Sequence, residues 1–168
     1  MKTYVLMLSK NFPVKHPKKG QLTYFKTKFL NAYNAHKGIL PKDEDLRHVY
    51  PFKRHTIRGN YPRWKKRFEE IARGEACLSI REWSGRPRQS ATVEIMRLTA
   101  KDGISLQELR YMPDRSGLGY YLAIDGKQVP MNVIANNDGL SISDWSMWFI
   151  EEDKTQSFAV IQFTRFRY

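Results

Sequence analysis

The apolar and polar positions of the chain predict short strands set among two or three helices. Residues 3–8 alternate and predict a first strand, and residues 52–58 alternate weakly and predict a short strand or a turn. Between them, apolar residues at helical spacing in QLTYFKTKFLNAYNAHKG predict a helix that ends at Gly38. The first half of the chain therefore carries both periodicities.

A second helix is predicted to begin directly after Asn60. Asparagine is a favoured N-cap residue, and proline at position 62 fits the first helical turn. The buried stripe of this helix is predicted at three apolar positions, Trp64, Phe68 and Ile71. Gly74 then fits the position just past the last turn.

The second half of the chain is predicted to be rich in short strands. Strands are expected at EACLSIREW, at its antiparallel partner QSATVEIMRL, at 105–111, at 119–124 and at SFAVIQFTRFRY. The IDGKQV segment predicts an Asp-Gly hairpin turn. Short helices are expected at MNVIANNDG and at SISDWSMWFIEE, the latter capped by Ser141 or Ser143. With no alternating βαβ series, the pattern predicts an α+β fold with a mostly antiparallel sheet, open or closed.

Composition narrows the class of protein. The 168 residues fit one domain, and 41% hydrophobic content is enough for a core. No apolar run approaches the roughly 20 residues of a membrane span, and the N-terminus lacks the h-region of a signal peptide. The single cysteine, Cys77, excludes an internal disulfide and is expected in the core. These features predict a cytoplasmic protein.

The positive charge is concentrated in the first half. The net charge is +12, with +14 in residues 1–88 and −2 in residues 89–168. Such asymmetry favours a polyanionic partner, with nucleic acid first and an anionic membrane surface second. A basic protein without such a partner is the remaining alternative. The oligomeric state is not predicted.

The most basic segment runs from Lys53 to Arg67, with seven Lys or Arg and no Asp or Glu. Four of its cations fall in the first two turns of the second helix, where the helix dipole disfavours them by about 0.3–1 kcal/mol each. A bound phosphate near that helix N-terminus would offset this penalty. The alternative is an amphipathic helix with a solvated face, in which Trp64 belongs to the core.

The segment PFKRHTIR resembles the signature of the ASCH domain, a member of the PUA-like superfamily. The family pattern is Gly-x-Lys-x-x-Thr-x-Arg, and Lys53, Thr56 and Arg58 fall on its Lys, Thr and Arg, with Pro51 in place of Gly. The segment ANNDGLSISDWSMWF is similar to the helical stretch near the end of such domains, and FAVIQFTRF looks like their closing strand. The resemblance covers residues 48–168 and leaves residues 1–47 as an N-terminal extension packed on the domain.

The resemblance implies a PUA-like, mostly antiparallel β-barrel with helices around it and a cleft beside the signature. ASCH domains are widely regarded as RNA-binding modules, whereas some small members are amidohydrolases of acylated cytidines and others have been assigned ribonuclease activity. Neither a metal nor another cofactor is expected, since the four histidines lack metal-ligand spacing.

Two sets of site residues follow. An RNA-binding module would contact phosphates through Lys53, Arg58, Arg63, Lys66 and Arg67, with Thr56 and either Tyr61 or Trp83 reading or stacking a base. A hydrolase would use Thr56 as nucleophile, Lys53 as its base with a pKa lowered by a cationic neighbour such as Arg58, and Asp138 as the acid. The structural alternatives are a helix-end or turn role for Asp138 and a backbone-bonded strand position for Thr56.

Overall fold

The computed structural model describes residues 1–39 and 52–168. Within them lie eight strands: β1 Lys2–Met7, β2 His55–Arg58, β3 Ala76–Trp83, β4 Thr92–Leu98, β5 Ser105–Pro113, β6 Tyr120–Ile124, β7 Lys127–Gln128 and β8 Phe158–Gln162. The described α-helices are α1 Phe25–His36, α2 Tyr61–Ala72, α3 Met131–Asn137 and α4 Ile142–Trp148. A short 3-10 helix spans Ala100–Asp102.

Three strands form a small mixed sheet in the order β1-β3-β4. β1 pairs with β3 in parallel, from Lys2 opposite Ala76 to Met7 opposite Arg81. β3 and β4 form the predicted antiparallel pair, with a register shift after Ile80. The alternation of the sequence predicts β1 correctly as a strand but carries no information on its parallel partner.

The other five strands form an antiparallel sheet in the order β2-β8-β5-β6-β7. The interior strand β8 is buried along its whole length, as expected for a strand paired on both sides. The turn between β6 and β7 places Asp125 and Gly126 at φ values of 49° and 80°, which fits the predicted Asp-Gly hairpin turn.

The helices cover the core in the way their apolar stripes predict. In α2, the three stripe residues Trp64, Phe68 and Ile71 are buried. Asn60 caps this helix, since its side chain accepts a hydrogen bond from the backbone N–H of Arg63. In α1, Phe25 and Phe29 are buried. Ser141, one of the two predicted caps of α4, accepts from the backbone N–H of Asp144.

The α+β class is therefore confirmed, but the described residues do not form a closed barrel. No ladder joins β1 or β4 to the five-stranded sheet within 1–39 and 52–168. Instead, the Arg58 side chain at the end of β2 donates a hydrogen bond of 2.5 Å to the carbonyl of Met7 on β1. The chain leaves β2 at once through Gly59 and the left-handed Asn60 to begin α2, so a longer β2 ladder has no residues to form it.

Residues on both sides of the predicted boundary at residue 47 contribute to one core. β1 is a strand of the mixed sheet, and Phe29 of α1 packs edge-on against Phe163 at 4.9 Å. The boundary itself and Pro51 lie outside the described residues. Across the described ranges, no helix combines the length and the apolar character that a membrane crossing requires.

Candidate functional site

Lys53, Thr56 and Asp138 meet in one small pocket between β2 and the end of α3. Arg58 also lines this pocket, together with Ser9, Phe25 and Trp148. The pocket has room for about 10 Å³, which is close to the space needed by one water-sized group. Three residues of the signature segment and the acidic residue far along the chain are thus brought together.

Backbone contacts fix the two sides of this pocket. Lys53 forms an isolated antiparallel bridge with Asp138, and the backbone N–H of Lys53 donates to the carbonyl of Lys28 in α1 at 3.0 Å. Gly139 follows Asp138 with φ of 77°, and a Cβ there would lie 3.2 Å from the Cβ of Lys53. The Asp-Gly pair therefore ends α3 and lets its last turn approach Lys53 closely.

The central contact is a buried ion pair. The Lys53 side chain is 1% exposed and that of Asp138 4% exposed. Lys53 Nζ donates to the Asp138 carbonyl at 2.8 Å and also to Asp138 Oδ1, and it lies 4.0 Å from the centroid of the Phe25 ring. Asp138 thus ends helix α3, as the structural alternative for this residue predicted. Its side chain also contacts Lys53, as the hydrolase hypothesis requires.

Burial dominates the protonation of both partners. It lowers the pKa of Lys53 from 10.5 to about 8, against the attraction of Asp138, while Arg58 and Lys28 lower it further. Burial also raises the pKa of Asp138, against the attraction of Lys53 and Arg58. The predicted direction for Lys53 is found, but burial rather than Arg58 is its main cause.

Thr56 presents a free hydroxyl to this pocket. The residue is 3% exposed, and within the described ranges its side chain makes no hydrogen bond. The alternative of a strand threonine bonded to neighbouring backbone is therefore not what the structure contains. A hydroxyl beside a lysine of lowered pKa is an arrangement that can donate a hydrogen bond or act as a nucleophile.

Arg58 separates the small pocket from a larger cleft. The cleft holds about 370 Å³, and Ile57, Arg58, Trp148 and Phe149 line both spaces. Within the described residues, the guanidinium donates only to the carbonyls of Ile57 and Met7 and has no carboxylate within ion-pair distance. Burial lowers the pKa of Arg58. A cation held by carbonyls alone is available to an anionic or carbonyl group of a ligand.

The cleft has an aromatic wall that the sequence analysis missed. Trp148 packs near the rings of Phe12 and Phe25, both at 5.6 Å, and near His16 at 6.1 Å. Glu151 and Glu152 also line the cleft, and Glu151 pairs with Lys15. Phe12 and His16 come from a loop, Phe25 from the start of α1 and Trp148 from the end of α4, so helical periodicity alone gave no signal for this surface.

The remaining predicted RNA contacts lie on α2 and β3. Arg63 and Lys66 are exposed, and no carboxylate pairs with them in the described part of the chain. The Arg67 guanidinium stacks 4.5 Å from the Trp64 ring and 5.0 Å from Tyr4 of β1. Tyr61 lines a separate groove of about 360 Å³ between α2 and β5, and Trp83 is half-buried at the end of β3.

Strand β1 contacts both Arg58 beside the cleft and Arg67 of α2. Arg58 contacts the carbonyl of Met7 and Arg67 covers the ring of Tyr4, three residues earlier on the same strand. Three residues of a strand span about 10 Å. Lys53, by contrast, is enclosed by Asp138 and Phe25, so a phosphate could reach it only by entering the small pocket.

His55, to which the sequence analysis assigned no role, is buried in β2 beside the ion pair. Its Nε2 lies 2.6 Å from the hydroxyl of Tyr168, and its Nδ1 lies 3.9 Å from Asp138 Oδ1. Burial lowers the pKa of His55 well below its ordinary value, and Lys53 and Arg54 add to the effect. Its position directly before Thr56 was the one sequence signal that could have drawn attention to it.

No cluster of three or more His, Cys, Asp or Glu side chains suited to a metal ion occurs in 1–39 and 52–168. The pocket chemistry is instead that of a lysine, a carboxylate, a hydroxyl and a guanidinium. No family model, no curated protein and no solved structure matches this chain. A function for this protein is therefore inferred from the residues of the site.

Proposed function

We propose that this protein is an RNA-binding module of the ASCH or PUA-like type. The observation that carries the proposal is the set of basic groups without acidic partners in the described residues, Arg58, Arg63, Lys66 and Arg67. Arg58 and Arg67 contact β1 at residues three positions apart, and Arg63 and Lys66 lie on the same helix as Arg67. Such a row fits successive phosphates of a single strand better than one small anion.

The cleft beside Arg58 supports a specific role within that function. Its volume of about 370 Å³ is in the range of small-ligand sites, and Trp148 offers an aromatic surface. One unstacked base of the RNA would occupy the cleft, while Arg58 and the helix α2 hold the neighbouring phosphates. The PUA-like resemblance of the signature segment agrees with this arrangement but is itself part of the proposal.

Fluorescence anisotropy with a labelled single-stranded RNA over a salt series tests this function. Neutralising about four phosphates gives a slope of log K against log salt of about −3. Lys66→Ala should weaken binding and reduce the magnitude of the slope by about 0.7. Arg73→Ala is the matched control, since Arg73 follows the same helix but is paired with Glu75. A flat salt response, or equal effects of the two variants, would contradict the proposal.

A hydrolase is a second candidate, favoured by the meeting of Lys53, Thr56 and Asp138. With a pKa of about 8, about one tenth of Lys53 is neutral at pH 7 and can accept the Thr56 proton. The Thr56 oxygen would attack the carbonyl carbon of an amide, and the protonated Lys53 would pass the proton taken from Thr56 to the leaving amine as the C–N bond breaks. Water would then release the acyl group from Thr56 as a carboxylic acid.

The size of the small pocket favours an amide over a phosphodiester in this second candidate. With room for about one water-sized group, the pocket admits a small terminal acyl group but not a phosphodiester with both its ribose neighbours. Incubation with N4-acetylcytidine and with RNA, followed by chromatography, separates the two reactions. Thr56→Val should abolish turnover, whereas Thr92→Val, a strand threonine of β4 outside both pockets, should retain it. Absence of turnover in the parent removes this candidate.

A further inference from the structure

A directed chain of hydrogen bonds runs behind the Lys53–Asp138 pair. It starts at Arg54, which donates from Nη1 to Asn137 Oδ1 at 3.2 Å. A guanidinium has only donors, so the amide oxygen of Asn137 must face it. The amide nitrogen of Asn137 then faces the other way and donates to the Tyr168 hydroxyl oxygen at 3.2 Å.

The same logic assigns the proton on His55. Because the Tyr168 oxygen already accepts from Asn137, its own proton points to His55 Nε2, 2.6 Å away. His55 is buried and close to Lys53 and Arg54, which favours the neutral ring. A neutral imidazole that accepts at Nε2 carries its proton on Nδ1.

The series of hydrogen bonds from Arg54 to His55 ends at His55 Nδ1. It is fully buried and has no hydrogen-bond partner in the described residues. Asp138 Oδ1, the oxygen that Lys53 holds, lies 3.9 Å away. A buried N–H without a hydrogen-bond partner lowers the stability of the fold. The Nδ1–H of His55 is therefore expected to reach Asp138 Oδ1 by a small movement of one of the two side chains.

We propose that His55, held by Tyr168 in the tautomer with its proton on Nδ1, is a positioning residue that keeps Asp138 ionised and turned toward Lys53. When Lys53 loses its proton, the Nδ1–H can take its place as a donor to Asp138 Oδ1, alongside the Trp145 side chain, which also lowers the pKa of Asp138. The charged and titratable groups facing this cluster are Lys28, Lys53, Arg54, Arg58, Asp138 and Tyr168. The effect on the ion pair requires no particular activity, while its effect on a reaction rests on the second candidate function.

Tyr168→Phe tests the proposal with little change in shape. In the parent, ¹⁵N NMR of the His55 ring should report the Nδ1–H tautomer, and in the variant the Nε2–H tautomer should become populated. The Nδ1–H that holds Asp138 when Lys53 is neutral is then lost and a lone pair faces the pair instead, so the neutral form of Lys53 is less favoured. The Lys53 pKa, followed by ¹³C NMR of its Cε, should therefore rise by about half a pH unit. Tyr111→Phe is the matched control, because Tyr111 is another half-buried tyrosine, and it should leave the Lys53 pKa unchanged.

Two substitutions of His55 add a rescue test. His55→Asn can place an amide N–H near the Nδ1 position, whereas His55→Gln reaches the Nε2 position instead. The Lys53 pKa should stay closer to the parent value in His55→Asn than in His55→Gln. If neither folds, Tyr168→Phe decides alone. An Nε2–H tautomer in the parent, or an unchanged Lys53 pKa in Tyr168→Phe, overturns the proposal.

The outcome is separable from the fate of the proposed function. RNA affinity should be the same in the parent and in Tyr168→Phe, since neither His55 nor Tyr168 lies on the basic row. If the parent hydrolyses an amide, the pH limb of kcat/KM that reports Lys53 should move with its measured pKa. If the parent neither binds RNA nor hydrolyses an amide, the NMR measurements still test the role of His55 independently.

Discussion

Replacing Asp138 by Asn removes one charge of the buried pair while keeping the shape of the side chain. A buried charge that loses its partner commonly costs about 3–5 kcal/mol of unfolding free energy. Lys53 can avoid this penalty by losing its proton, because its pKa is already lowered to about 8 and falls further without Asp138. At neutral pH the variant lysine therefore folds without its proton.

Deprotonation of Lys53 determines how much unfolding free energy Asp138→Asn loses and how that loss depends on pH. Removing the Lys53 proton in the parent fold costs about 1.4 kcal/mol for each pH unit below 8. The loss in Asp138→Asn is then limited to about 1 kcal/mol at pH 7 and about 3 kcal/mol at pH 6, and it vanishes above pH 8. The sign follows from linkage: the unfolded variant binds a proton that the folded variant lacks, so its stability rises with pH.

Denaturant unfolding at pH 6, 7, 8 and 9, followed by tryptophan fluorescence, measures this loss. Lys53→Met should show the opposite trend, because the stranded Asp138 must take up a proton and its penalty grows with pH. Asp102→Asn is the control, since Asp102 pairs with the partly exposed Lys37 and has a lowered pKa, so its loss should stay constant from pH 6 to 9. A pH-independent loss above about 3 kcal/mol in Asp138→Asn would show that Lys53 stays charged and would refute the reasoning.

The remaining predictions concern α2, and each is checked by denaturant unfolding. Asn60→Ala should cost about 1–2 kcal/mol through the lost cap and the left-handed backbone, whereas Asn60→Gly should cost only a few tenths. Phe68→Ala should cost about 3–5 kcal/mol as a core truncation, and a loss below 1 kcal/mol would contradict the assigned buried face. Lys66→Glu should stay within about 0.5 kcal/mol, because the side chain is exposed and unpaired in the described residues. Arg67→Glu should cost about 1–2 kcal/mol through its two ring contacts, and equal effects of the two charge reversals would argue against them.

The sequence predicted local structure well because local rules decide it. The stripe of α2, the cap at Asn60 and the Asp-Gly turn at residues 125–126 each depend on residues within one or two turns of the chain. The parallel pairing of β1 with β3 depends instead on which strands meet after a long connection, and alternation does not encode that choice. Closure of the sheet into the barrel that the resemblance implies depends on the same kind of choice, and the described residues show two separate sheets.

The candidate site was predicted in part for a similar reason. The resemblance named Lys53, Thr56, Arg58 and Asp138, and the structure brings these four to one pocket. Their function remains a prediction. His55 was passed over because a single polar residue in a weakly alternating segment does not reveal whether it faces solvent or a buried carboxylate. The aromatic wall of the cleft was not predicted because Trp148 of α4 and the loop residue His16, which are distant along the chain, build it together.

The long connections that build this site also bear on how the chain reaches its native state. Lys53 and Asp138 are 85 positions apart, and Thr3 of β1 meets Cys77 of β3 across 74 positions. Each closure loses chain entropy before its contacts form, and folds dominated by such distant pairings reach their native state in milliseconds to seconds rather than microseconds. The ion pair is completed only when α3 docks against β2, so regain of the Lys53 titration after dilution from denaturant should be among the slowest signals of refolding.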